Sequence, residues 1–294
     1  MIIDSHNHSH YNGVGPEGLV AEMAAFGIDL TWLLTWYLPP SEHVPSSHRA
    51  FNPRNVRFDG THAGVTLADV VEVSERFAGR FVRGYCPCPT EGNAADLFES
   101  AYQIYGVRVC GEWSYRTVLD DPRALELFRR AGKLNCPVVL HLDVPFLPDT
   151  AGNPVYQPYW YGGGADPLER ALQSCPETIF IGHAPGFWRY LSGDEATEMA
   201  VYPSGPIQPG GRLLTLLDRY PNLWADLSAG SGFTALHRDL PFARDFLVRY
   251  ADRLLFGRDD KGDRLQRLLN SLALPDVVGA KIFYQNALRL VPVA

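Results

Sequence analysis

Short apolar, β-branched runs alternate along the chain with amphipathic stretches of helical period. The runs Ile2–Ser5, Leu30–Trp36, Phe81–Cys86, Val107–Glu112, Val138–Asp143, Ile179–His183, Leu223–Leu227 and Leu254–Gly257 are predicted strands. Between and after them lie helical patterns at Gly18–Phe26, Leu67–Phe77, Ala94–Tyr105, Asp121–Leu134, Pro167–Ser174, Gly211–Tyr220, Pro241–Tyr250 and Asp263–Leu272. Strands covered by helices on one side and packed on the other read as continuous apolar runs, whereas half-solvated strands alternate with polar residues. Eight strand–helix units therefore predict an α/β fold, the (β/α)8 TIM barrel, as one domain over residues 1–294. A doubly wound open sheet is the alternative, but such a sheet carries a glycine-rich phosphate loop after its first strand. Asp4-Ser5-His6-Asn7-His8 stands there instead.

Two long insertions interrupt the rhythm. One, at 37–64, follows strand two and is rich in Pro, Ser and His; it carries Arg49, Arg54 and Arg57. The other, at 144–165, follows strand five and holds Tyr156, Tyr159, Trp160, Tyr161 and a Gly162-Gly163-Gly164 hinge candidate. Both leave C-terminal strand ends, the rim on which barrel enzymes build their sites.

Composition narrows the function classes. The net charge is −7 with no Lys/Arg stripe, which argues against nucleic acid as a partner. No apolar run reaches membrane-spanning length and no secretory signal precedes the first strand, so the expectation is a cytoplasmic protein acting on a small molecule, with a homodimer as an open assembly. The five cysteines are an odd number, and several sit at or beside predicted strands as buried thiols do. Cys86-Pro87-Cys88 lacks both the two-residue spacing and the second pair of a metal knuckle.

His6 and His8 are two apart on a strand and can present both imidazoles to one ion. Strand four ends in Glu112, strand five in His141, strand six in His183 and strand eight in Asp259. Each has a bland reading: a lone His can be a satisfied core residue, Glu112 can pair with Arg108 or Arg116, and Asp259 can cap a helix. Together those readings must place four imidazoles and two carboxylates on one rim by chance. Imidazole with carboxylate suits zinc first, then iron or manganese.

This pattern resembles the amidohydrolase superfamily, and within it the amidohydrolase-2 branch, which includes aminocarboxymuconate semialdehyde decarboxylase-like proteins. The resembling segments are Ile2–His8, Cys136–His141, Ile181-Gly182-His183-Ala184, Arg253–Asp259 and the tail Gln285–Leu290. Arg258 departs from the Ser or Thr that usually precedes the final Asp of that branch. The resemblance implies that His6, His8 and Asp259 hold one metal, and that His141 and His183 hold a second or help catalysis. Glu112 stands where two-metal members carry a bridging group, so the expectation is a binuclear centre of two divalent transition-metal ions. A bridging hydroxide would then cleave an ester, thioester, lactone or amide, with Asp259 and His183 as catalytic residues. The alternative is a mononuclear, non-oxidative decarboxylase of an aromatic or enoic acid. A metal-stabilised barrel without activity is a third reading. His10, Trp36, Tyr37, Trp113, Arg116, Tyr159 and Trp160 lie near predicted strand ends and are the candidate substrate contacts.

Overall fold

All eight apolar runs become parallel strands: β1 (Ile3–Asn7), β2 (Leu30–Leu33), β3 (Phe81–Arg83), β4 (Cys110–Trp113), β5 (Val138–His141), β6 (Phe180–His183), β7 (Leu223–Asp226) and β8 (Leu254–Leu255). They belong to a computed structural model that describes residues 1–44, 46–157, 160–194 and 200–293. One sheet runs β1-β2-β3 and a second β8-β7-β6-β5-β4. The backbone joins the two sheets at both seams. Gly84 bridges Val109 in parallel, and Tyr85 N donates to Val109 O at 2.9 Å. At the other seam Ser5 N donates to Phe256 O at 2.9 Å and Asp259 N to His6 O at 2.8 Å. The strands thus form a ring, as the βα rhythm predicts.

The ring is filled by one apolar layer to which every strand contributes: Ile3, Trp32, Val82, Val109, Val139, Ile181, Trp224 and Leu255. Ala287 and Val291 of the C-terminal segment join this cluster, next to the strands' N-terminal ends. Burying each of these side chains stabilises the fold by about 1.5–3 kcal/mol relative to exposure. A separate outer layer, with Phe98, Leu127, Phe128, Leu168 and Leu217, packs helices onto the strands.

Side-chain alternation carries this layer up to the C-terminal rim. Two residues beyond Val139, Ile181 and Trp224 come His141, His183 and Asp226, on the same inward face. Strands β1 and β4 break the alternation. Ile3 faces inward, so strict alternation would turn His6 and His8 outward. The β1–β2 register shifts between Asp4 and Asn7 and reverses the parity. The β4–β5 register shifts likewise between Cys110 and Trp113, and Glu112 rather than Gly111 reaches the interior. Such irregularities re-aim side chains next to functional sites.

Helices begin and end within a few residues of their predicted positions. Thr66 and Asp69 form a reciprocal capping box on the helix Leu67–Arg76, and Asp121 with Pro122 opens Pro122–Lys133. The helix Ala229–His237 was not anticipated, because Gly230 and Gly232 blur its period. Gly232 is required there: a Cβ would fall 2.2 Å from Leu227 O. Both insertions fold into hairpins, Trp36–Tyr37 against Gly64–Val65 and Phe146–Pro148 against Pro154–Tyr156. None of the described helices is long and apolar enough to cross a membrane.

Candidate metal centre

The inward ends of β1, β4 and β6 and the segment after β8 bring five donor side chains together. His8 Nε2 lies 3.4 Å from Glu112 Oε2 and 3.5 Å from Asp259 Oδ1. His6 Nε2 lies 3.5 Å from Glu112 Oε1 and 4.0 Å from Asp259 Oδ1. His183 Nε2 lies 3.3 Å from Asp259 Oδ2 and 3.7 Å from Glu112 Oε1. Donors about 2.1 Å from a common ion at tetrahedral or octahedral angles are about 3.0–3.4 Å apart, so these spacings are near the edges of a coordination polyhedron.

Their partners on the far side fix which atoms face inward. His6 Nδ1 donates to Asp226 Oδ2 at 2.7 Å, and His8 Nδ1 donates to the Leu34 carbonyl at 2.9 Å. Both partners only accept, so Nδ1 carries a proton in each ring and Nε2 is the atom left to face the centre. His183 Nδ1 lies 2.9 Å from Ser228 Oγ. The inward atoms His6 Nε2, His8 Nε2, His183 Nε2, Glu112 Oε2 and Asp259 Oδ1 are buried and make no hydrogen bond within the chain. Leaving so many polar atoms unsatisfied costs more than a fold ordinarily tolerates. Divalent metal would take up these lone pairs, and the chemistry of the donors fits it.

The electrostatics agree. Burial alone would lower the His6 pKa, yet Asp259, Glu112 and Asp226 outweigh it and raise it to about 10. Burial likewise opposes charge on Glu112 and Asp259, but the surrounding histidines hold both carboxyls below their ordinary range. The negative field that holds a proton on His6 is the field that attracts a dication. Ion binding at neutral pH must therefore expel that proton. Calorimetry in buffers of different ionisation enthalpy should record proton release, and apparent affinity should fall about tenfold per pH unit of acidification for one displaced proton.

A glycine makes room for the His6–Asp226 pair. A Cβ on Gly257 would lie 2.6 Å from Asp226 Oδ1 and 3.1 Å from His6 Cβ. Gly257→Ala should lower metal affinity by about 10–100-fold, the range for loss of a partner that orients a ligand, as measured by competition with a chromophoric chelator.

His141 stands apart from the donor set. Its Nδ1 donates to Glu112 Oε1 at 2.9 Å, and it belongs to neither donor group described below. Trp36 and Tyr161 flank it, with ring centroids 5.8 and 5.4 Å away. Trp36 also packs beside His8, and Tyr11 completes that wall.

The other candidate contacts divide. Trp113 is not at the site: it is fully buried against Tyr115 and Phe128, because the residue after inward-facing Glu112 turns to the opposite face. Tyr37 is directed elsewhere, its hydroxyl donating to Glu91 at 2.7 Å. The charges that act on half-buried His10 are Asp69, Arg54, Glu72 and Glu17 of the neighbouring loop and helices, none of them in the donor cluster. Trp160 lies against Gly164, and Tyr159 lies outside the described residues. Arg116 N donates to both oxygens of Glu42 at 3.2 Å, which ties the first insertion to the rim beyond β4. Asp226, Ser228, Tyr11 and Tyr161 were not anticipated. The signal for Asp226 was available, since it is the last residue but one of the predicted strand Leu223–Leu227.

The family model described as amidohydrolase matches residues 3–293. The chain belongs to the amidohydrolase family. Its fold is similar to that of 5-carboxyvanillate decarboxylase from Sphingomonas paucimobilis, with TM-score 0.61 and 12% identity over 100% of this chain and 99% of that one. A dihydroxybenzoic acid decarboxylase from a Polaromonas species, with bound manganese, gives TM-score 0.61 and 16% identity over 98% and 96% of the two chains. A probable 2-pyrone-4,6-dicarboxylic acid hydrolase from Acinetobacter baumannii gives TM-score 0.55 and 13% identity over 98% of each chain. No curated relative matches the sequence. Amidohydrolases are metal-dependent enzymes on TIM barrels, and among the similar structures are both decarboxylases and a hydrolase.

Proposed function

We propose that this amidohydrolase holds one divalent ion, manganese or zinc, and catalyses non-oxidative decarboxylation of an aromatic or enoic acid. One observation carries the reading. Among the described residues two donor groups can hold an ion, His6-Glu112-His183 and His6-His8-Asp259, and both need His6. Its Nδ1 is committed to Asp226, so a single lone pair, on Nε2, serves either group but not two ions at once. The resemblance to this branch implies a mononuclear centre for its decarboxylases, and the folds of two decarboxylases, one with bound manganese, are among those the chain resembles.

In this reading His6, with His8 and Asp259 or with Glu112 and His183, would hold the ion, which would supply a Lewis acid to the substrate when bound. The remaining work belongs to side chains. Trp36 and Tyr161 offer flat apolar faces to a ring or conjugated acid. Tying of His141 Nδ1 to Glu112 leaves Nε2 as its atom for proton transfer, and the side chain is 14% exposed. His141 donates a proton to the carbon that bears the carboxylate. The carbon–carbon bond then breaks, its electrons return to the ring or double bond, and carbon dioxide leaves. His141 recovers its proton from solvent. His183, expected both as a ligand and as a catalytic residue, keeps only the ligand role in this reading.

One observation favours the binuclear hydrolase as a second reading: the two Glu112 oxygens face different histidines, Oε2 towards His8 and Oε1 towards His141 and His183, as a bridging carboxylate would. Metal analysis and product analysis separate the two. Protein reconstituted with excess Mn2+ or Zn2+ and desalted should retain one ion per chain, and a panel of hydroxybenzoates and conjugated acids should release carbon dioxide. Two ions per chain, with turnover only of esters, lactones or amides, would establish the hydrolase instead.

A further inference from the structure

We propose that Asp4 and Arg258 are positioning residues for the metal centre, an ion pair buried across the β1–β8 seam that sets the geometry of the ligands on both strands. The proposal rests on the reading of His6, His8 and Asp259 as ligands.

The Asp4 carboxylate is fully buried and accepts four hydrogen bonds. Two come from its own strand: His6 N to Oδ1 at 3.2 Å and Asn7 Nδ2 to Oδ2 at 3.1 Å. Two come across the seam: Arg258 N to Oδ1 at 2.8 Å and Arg258 Nε to Oδ2 at 2.9 Å. The first two lie within the stretch where the β1 register shifts, between Asp4 and Asn7. Asp4 therefore ties down the irregularity that turns His6 and His8 inward. The second two anchor the residue immediately before Asp259, whose own N–H donates to His6 O at 2.8 Å. Three consecutive links thus join the β1 ligand pair to the β8 ligand.

Arg258 is itself buried, and its Nη1 donates to Glu22 Oε2 on the first helix at 2.9 Å. A planar guanidinium can engage a backbone-anchored carboxylate and a helix carboxylate at once, in directions fixed by its own geometry. Lysine cannot. The backbone at Asp259 is left-handed, with φ 43°, so the direction of its side chain depends on how the segment before it is held. Ligands on separate strands must be placed to within about 0.5 Å for a defined coordination geometry, and this pair reaches both strands.

The test is cobalt binding, which needs no substrate. Replacing one partner alone would strand a buried charge, so the informative variant is the double replacement Asp4→Asn with Arg258→Met, which keeps volume and removes both charges. Alongside it, Arg258→Lys keeps charge without the planar fork. Wild-type protein and both variants are titrated with Co2+, followed by visible ligand-field absorption, with thermal unfolding of the apo chains as the control for folding. The expected result is a folded double variant that binds Co2+ about 10–100-fold more weakly, the range for a lost ligand-orienting partner, with shifted band positions and intensities, and a smaller shift in Arg258→Lys. A folded double variant with wild-type affinity and spectrum overturns the proposal. A double variant that does not fold also overturns it, by making the pair a requirement of the barrel rather than of the ligands. Failure of the ligand assignment is distinguishable, because the wild-type chain would then bind no Co2+.

Discussion

Replacement of His141 by Asn is expected to leave the ion in place and slow turnover by 10²–10⁴-fold, the range for loss of a general acid. Replacement of His183 by Asn is expected to remove the ion. The contrast follows from where each ring is tied. His183 Nε2 points among Glu112 and Asp259, within the donor group that includes His6. His141 meets the cluster through its hydrogen bond to Glu112 and an edge contact with the His183 ring, and stands between Trp36 and Tyr161. Elemental analysis of the desalted variants, together with kcat on whichever acid is turned over, decides the matter. An ion lost from His141→Asn with His183→Asn still loaded would exchange the two roles and return His141 to the ligand set the sequence suggests.

Asp259→Asn should reduce kcat by a comparable 10²–10⁴-fold and weaken metal binding as well. The substitution keeps size and one weak oxygen ligand but removes a charge that offsets the dication. It should cost little stability, since Asn tolerates the left-handed backbone found at this position. Asp260 is the internal control. It is exposed, and its carboxylate accepts from Lys261 N at 2.7 Å, so Asp260→Asn should retain full activity and metal. Loss of function in Asp260→Asn with a normal Asp259→Asn variant would mean that the strand-eight ligand is the later residue. Full activity in both would remove strand eight from the chemistry.

The strands were legible because a parallel barrel buries both faces of each one, so every strand appears as an uninterrupted apolar run. Residues that end such runs, His141, His183 and Asp259, were therefore found by position. The convergence of His6, His8 and Glu112 was legible only in outcome. Alternation from Ile3 points His6 the wrong way, and no local residue pattern announces the register shifts that correct it. The placement of His141 beside the donor set rather than in it was not legible. It follows from a 2.9 Å hydrogen bond between Glu112 and His141, a contact between neighbouring strands that spacing along the chain does not encode. Trp113 shows the converse limit. An aromatic residue beside a ligand looks like a pocket wall, but one step along a strand changes the face, and it became core. Tyr161 fills the wall instead, from an insertion whose path turns on three successive glycines with positive φ.

One donor group joins side chains from nearly opposite ends of the sequence, His6 and His8 from the first strand and Asp259 from just after the last. During synthesis the opening strand leaves the ribosome with its imidazoles exposed long before the carboxylate that completes the set has been made. The nascent chain thus cannot acquire its ion at full affinity until the closing strand is in place. Once bound, the ion fastens the first strand to the last and opposes fraying of that seam, by about 4 kcal/mol when free metal stands at 1,000 times the Kd. Metal occupancy in the cell would then report on finished molecules, and chains truncated before the eighth strand should bind the ion more weakly than the full chain.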